Sequence, residues 1–147
     1  MPRLLGLMLV AGDVQHLVAR TPLPLHAALR ELAEEAGRRG LLREILPKIR
    51  IRPSAEVGLQ VEGADAGLNT LLGEGLVVET GRGRDARLIV DAQNSLQYRR
   101  RLMRLDPEDV WLLQRAGARW AALSWTSEKN WSSARRSSGD TVIAATA

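Results

Sequence analysis

Apolar positions along the chain mark out short helices on either side of a Gly-rich centre. Residues 1–12 (MPRLLGLMLVAG) form an almost unbroken apolar run, the pattern of a core strand or helix. Residues 13–20 and 41–46 read as short helical neighbours. Thr21-Pro22 reads as a helix start, with the hydroxyl as N-cap and the proline in the first turn. Leu25, Leu29, Leu32, Ala33 and Ala36 then keep helical spacing until Gly37 or Gly40 supplies a stop. After Pro47, Lys48-Ile49-Arg50-Ile51-Arg52-Pro53 alternates basic and apolar residues, as an edge strand or extended linker does. Val57, Leu59 and Val61 alternate as a short strand would, while Ser54 leaves open a capped helical turn.

Residues 64–73 (ADAGLNTLLG) place Leu68, Leu71 and Leu72 on one helical face. Leu76-Val77-Val78-Glu79 and Arg87-Leu88-Ile89-Val90 are β-prone, and the Gly/Arg turn between them makes a hairpin. Residues 92–105 contain no helix breaker. Asp106-Pro107-Glu108-Asp109 then stacks an N-cap acid, a first-turn proline and two acids that suit the helix dipole. The helix so started extends to about Asn130. Beyond Trp131 the composition turns to Ser, Arg, Gly and Ala, so residues 1–131 read as one globular domain and 132–147 as a flexible tail. The fold class expected is mainly α with a small β-hairpin (α+β).

Composition supports that division and narrows the chemistry. The 147 residues include 24 Leu against 15 Val and Ile together, which favours helices over sheets. There is no Cys, which excludes disulfides, thiolate metal sites and Cys nucleophiles. The apolar start is far shorter than the ~20 residues of a membrane span and lacks a signal-peptide cleavage pattern. A cytoplasmic location and no membrane partner are therefore expected.

Residues 68–79, followed by the Gly/Arg turn and Arg87-Leu88-Ile89-Val90, resemble the second half of a winged helix-turn-helix domain. In that family the recognition helix ends in an acid-Gly-Leu-Val turn and runs straight into the β-wing. The resemblance covers residues 54–91 and implies a winged-helix-like centre flanked by helices. It implies a recognition helix at 64–73 presenting Asn69 and Thr70, and a wing tip at 81–84 with Arg82 and Arg84 near phosphates or the minor groove. Residues 55–62 depart from the family: they alternate like a strand where a helix should precede the recognition helix. The helix at 64–73 also carries Asp65 and no Arg or Lys.

The charge, divided by segment, points elsewhere. The net +4 comes entirely from residues 92–105, which hold Arg99, Arg100, Arg101 and Arg104 and no acid; the rest of the chain balances at 17 of each sign. At 100° per residue Gln97, Arg100, Arg101 and Arg104 share a face, and Leu96, Tyr98, Leu102, Met103 and Leu105 cover most of the remainder. Such a stripe suits a phosphate backbone. It equally suits an acidic partner subunit, an anionic surface, or arginines paired with Asp106, Glu108 or Asp109.

Four of the five aromatic residues are Trp111, Trp120, Trp125 and Trp131. Trp111 and Trp120 read as core, and Trp125 and Trp131, beside the polar tail, as a protein interface. Catalysis finds little footing. His16 and His26 have no metal-ligand spacing, although Asp13 and His16 stand one helical turn apart. Glu34-Glu35 reads as a solvated face, and a pocket joining it to Asp13 and His16 is the one enzymatic arrangement left open. No cofactor and no metal is expected. The expectation is a non-catalytic nucleic-acid-binding protein, possible as a subunit or homo-oligomer. The alternative is an adaptor subunit of a multi-protein complex, ATPase-linked or of a defence type, that binds protein rather than DNA.

Overall fold

The computed structural model describes residues 1–18, 22–46, 49–55 and 58–140, with the backbone alone at Pro22, Arg84 and 127–140. The apolar start is a helix, α1 (Pro2–Ala11), and every residue from Leu4 to Val10 is buried. A helix apolar on all sides needs neighbours on all sides. Here they are α3 (Ala64–Glu74), α4 (Leu96–Leu102) and α5 (Pro107–Asp140). The last of these approaches so closely that a Cβ on Gly117 would stand 1.9 Å from the Met8 carbonyl oxygen.

Residues 13–18, the described part of the expected 13–20 helical neighbour, are not helical. Asp13 takes a left-handed turn, φ 52, and His16–Val18 form strand β1; residues 19–21, with the proposed Thr21 cap, lie outside the described residues. Helix α2 (Pro22–Arg39) follows and ends at Gly40 rather than Gly37, where the Leu41 N–H donates to the Ala36 carbonyl. Residues 41–46 make a turn, not a helix. Leu42 is buried there with φ 58, and its N–H donates to Asp109 Oδ1 at 3.0 Å, tying the end of α2 to the start of α5.

The two strand-like stretches in the Gly-rich centre pair with each other. Strand β2 (Ile51–Ser54) lies antiparallel to β3 (Gly58–Val61), with Ile51 opposite Val61 and Pro53 opposite Leu59. Ile51 and Leu59 stay half-exposed, while Val61 is buried and pins the hairpin to the core. The expected hairpin also forms, from β4 (Val77–Thr80) and β5 (Arg87–Val90), closed by a short 3₁₀ turn over Gly83–Asp85. It is not isolated: β1 pairs along β5, giving a three-stranded antiparallel sheet of order β1-β5-β4. The open edge of β1 is partly capped from α5, whose buried Ser124 Oγ accepts the Val18 N–H at 2.9 Å.

The architecture is therefore α+β and mainly helical, and the described residues form two small antiparallel sheets rather than one hairpin. The expected helix over 92–105 shortens to α4, because residues 92–95 are held as turns. Asp91 Oδ2 accepts the Asn94 N–H at 2.8 Å, and Ser95 Oγ donates to the Ala92 carbonyl. Such local side-chain bonds compete with helix propagation. Helix α5 runs in the other direction, past Asn130 to Asp140, so 132–140 of the expected tail is helical backbone; residues 141–147 lie outside the described residues.

Candidate nucleic-acid interface

Helix α4 is fixed to the molecule through Tyr98. Its ring is buried against α1, where a Cβ on Gly6 would stand 2.2 Å from it. The phenol oxygen lies 3.4 Å from Glu74 Oε2 at the end of α3. Asn94 Nδ2, just upstream, donates to the Gly75 carbonyl at 3.0 Å, which holds the α4 approach to the base of the β4–β5 hairpin. Burial first, and then the neighbouring Glu74 carboxylate, push the Tyr98 phenol above its ordinary value of 10.0.

A raised phenol value means that the folded protein keeps this proton to higher pH than the unfolded chain. Its stabilising contribution is thus complete below about pH 10 and is lost as pH rises through the folded value. Tyr98 is the only tyrosine in the chain. Denaturation midpoints measured from pH 8 upward should fall faster above pH 10 for the wild type than for Tyr98→Phe. Parallel curves would show that the phenol is not held as described.

With Tyr98 turned inward, Arg99, Arg100, Arg101 and Arg104 all project into solvent. None of them forms an ion pair among the described residues. Of the acids considered as partners, Asp109 is engaged by the Leu42 N–H instead. Arg3 is exposed in the first turn of α1, the helix that packs against α4, and its charge bears with that of Arg101 on the Tyr98 phenol. The helical-wheel division is altered. Leu102 and Tyr98 turn inward, whereas Leu96 is 50% and Met103 85% exposed among the arginines.

The other predicted site residues are dispersed. Asn69 and Thr70 are exposed on α3, and Thr70 Oγ1 donates to the Ala66 carbonyl within its own helix. The acids Asp65 and Glu74 stand near the two ends of α3. Arg82 is exposed at the tip of the β4–β5 hairpin; the Arg84 side chain lies outside the described residues. The tip and α4 occupy opposite ends of that hairpin, separated by four-residue strands, or roughly 10 Å. They do not merge into one patch.

Trp120 is core, as expected, but Trp111 is not: it is 40% exposed, with the guanidinium groups of Arg39 and Arg115 at 5.2 and 4.9 Å from its ring. Trp125 is half-exposed and meets its own chain, edge-on to His16 at 5.1 Å and beneath Arg87 at 5.2 Å. With Val78 and Ile89, cross-strand neighbours that are also half-exposed, it makes an apolar outer face on the three-stranded sheet. The Trp131 side chain lies outside the described residues.

The residues considered for catalysis do not converge. Asp13 and His16 occupy a turn and a strand rather than one helical face. Glu34 and Glu35 line a groove of about 690 Å³ between the antiparallel α2 and α5. One ion pair crosses that groove and others lie along its α2 wall. Arg119 makes a two-pronged contact to Glu31, at 3.0 and 3.2 Å. Glu35 receives Arg38 and, at 2.7 Å, Arg39. The Arg39 hydrogen bond, before any other influence, holds the Glu35 carboxyl below its usual range. His26, on α2, is buried and ties its helix to β3 and α3. The Val61 N–H donates to its Nδ1 at 2.9 Å, which leaves the proton on Nε2, 3.1 Å from Asp65 Oδ1. Among the described residues no group of three His, Asp or Glu side chains converges as a metal ion would require.

No described helix is long and apolar enough to cross a membrane. No protein-family model matches the chain, and comparison with curated proteins and with solved structures gives no match.

Proposed function

We propose that the protein is a non-catalytic nucleic-acid-binding protein whose main phosphate-contacting surface is α4. The observation that carries this reading is the set of four exposed arginines, 99, 100, 101 and 104, without an ion-paired acid among the described residues. Four guanidinium groups on one short segment repel each other, and a phosphate chain relieves that repulsion through charge-assisted, two-pronged hydrogen bonds. Arg82 adds a second contact at the hairpin tip.

A winged-helix-like centre is part of the proposal. It is supported by the way α3 ends at Glu74-Gly75 and leads directly into β4, with β1 completing the small sheet. The β2–β3 hairpin stands where that family has a helix, and α3 presents acids and amides rather than cations. Phosphate contact by α4, not base reading by α3, is accordingly the binding mode assigned, and little sequence preference is expected.

Affinity for a random-sequence duplex should fall linearly on a log–log plot against salt. The double substitution Arg100→Gln/Arg104→Gln should lower that slope by roughly two units. An unchanged slope removes α4 from the interface. The adaptor reading keeps one specific observation in its favour, the apolar outer face of Val78, Ile89 and Trp125. It predicts no duplex binding even at low salt.

A further inference from the structure

We propose that Met103 is a wedge: α4 approaches duplex DNA from the minor groove, and the Met103 side chain enters a base step between phosphates held by arginine. This rests on the nucleic-acid reading above and adds to it a groove, an inserted residue and a bend in the DNA.

The starting point is an apolar side chain that packing does not use. Tyr98 and Leu102 turn inward from α4, with Ser95 buried just before it. Met103 directly follows the last helical residue, its N–H still bonded to the Arg99 carbonyl at 3.1 Å. It is the most exposed of the large apolar side chains described, at 85%. Arg100 lies one helical turn before it and Arg104 beside it, both exposed. Leu96, half-exposed, stands seven residues upstream on the same side, roughly 10 Å along the axis.

A surface that bound only phosphates would gain nothing from these two side chains, and one that bound only an apolar partner would not surround them with unpaired arginines. A ligand that offers both chemistries close together fits better. The DNA minor groove does so: phosphates line both rims, and the stacked bases between them open to an apolar wedge, for which Met and Leu are among the recurring residues. Methionine is unbranched and adaptable, so it can enter a narrow step. The rim spacing, about 6 Å in B-form DNA, lies within reach of arginines placed on either side of one residue. An anionic membrane offers both chemistries too, but a seven-residue helix with two exposed apolar residues presents little area to hold there.

The test uses the full chain and a duplex of about 25 base pairs carrying a donor and an acceptor dye at its ends. The wild type is expected to shorten the end-to-end distance, in keeping with a kink of roughly 20–90°. Met103→Gln has similar length and no change in charge. It should bind roughly tenfold more weakly, keep the wild-type salt slope and lose the bend. Arg100→Gln/Arg104→Gln should lose salt slope instead. Because Met103 is exposed, its variant should melt with the wild type, which separates loss of bending from loss of fold. Wild type that binds without bending, or a Met103→Gln variant that bends as well as wild type, overturns the wedge and leaves the nucleic-acid reading standing. Absence of duplex binding at low salt overturns both. Vesicles containing phosphatidylglycerol form the remaining arm: binding there that depends on Met103, without bending of DNA, also overturns the wedge.

Discussion

Replacing Gly117 by alanine is expected to destabilise the protein by about 3 kcal/mol or more, although alanine is the better helix former. Gly117 lies within α5 where that helix crosses α1, and the contact is between backbones. A Cβ there would stand 1.9 Å from the Met8 carbonyl oxygen and 3.3 Å from the Gly12 Cα. No side chain can rotate away to make room, so the two helices must separate by more than an ångström. Both carry fully buried residues beside the crossing, among them Leu5, Leu9 and Leu113, and separation loosens all of them together. The gain in helix propensity, about 1 kcal/mol, does not offset that. Gly37 supplies the control. It too is inside a helix, but nothing stands within 4 Å of its added Cβ. Gly37→Ala should therefore stabilise by roughly 0.5–1 kcal/mol. Thermal melts followed by circular dichroism should show the two substitutions moving the midpoint in opposite directions. A Gly117→Ala protein that melts with the wild type would mean that α1 and α5 do not meet as described.

That crossing also shows where sequence reading stops. The elements fixed by local pattern were legible: α3 from its Leu spacing, the β4–β5 hairpin from its Gly-rich turn, the start of α5 from Asp106-Pro107-Glu108-Asp109. Those fixed by distant partners were not. Leu17 and Val18 are apolar neighbours whose strand character comes from pairing with Leu88 and Arg87, some 70 residues later. Eight residues are too few for periodicity alone to separate a turn and strand from a helix. Residues 48–53 and 57–61 each had the right alternation, but which strand each would join is a matter of tertiary contact.

The candidate site divides along the same line. The four arginines of α4 were visible as an uninterrupted run of one sign. The influence of Arg3 was not, because only the packing of α1 against α4 brings its charge to bear on Tyr98. On a continuous helix over 92–105 the apolar residues of the same segment cover most of the surface that the arginine stripe leaves. The turns at 92–95 shorten the helix, and Met103 falls beyond its last residue. Trp111 reads as core in the sequence but is half-exposed in the fold. Two arginines cover its ring faces instead, and aliphatic stems and cation–π contact satisfy an indole that the apolar core does not enclose.

His26→Ala should cost about 3 kcal/mol and should act first on the β2–β3 hairpin. A lone histidine within an apolar helical pattern gives no sign in sequence of what it touches, and here it bridges three segments. Its ring is buried on α2, accepts the Val61 N–H of β3 and faces Asp65 in the first turn of α3. Removing it leaves a buried Val61 N–H without an acceptor, at roughly 1–3 kcal/mol, and a cavity under the hairpin that adds to this. The hairpin has little else to hold it, since Ile51 and Leu59 are half-exposed and Val61 is its one deeply buried side chain among the described residues. Amide exchange should therefore accelerate at residues 51–54 and 58–61 well beyond the rest of the molecule, while amides of α1 and α5 follow only the drop in global stability. His26→Gln tests whether the hydrogen bond matters apart from ring volume, because a glutamine carbonyl can accept from Val61 and should recover part of the loss. Uniform acceleration across all elements, with no rescue by glutamine, would assign His26 to packing alone. In that case the anchoring of the hairpin, and with it the placement of Asp65 and the start of α3, must come from elsewhere in the core.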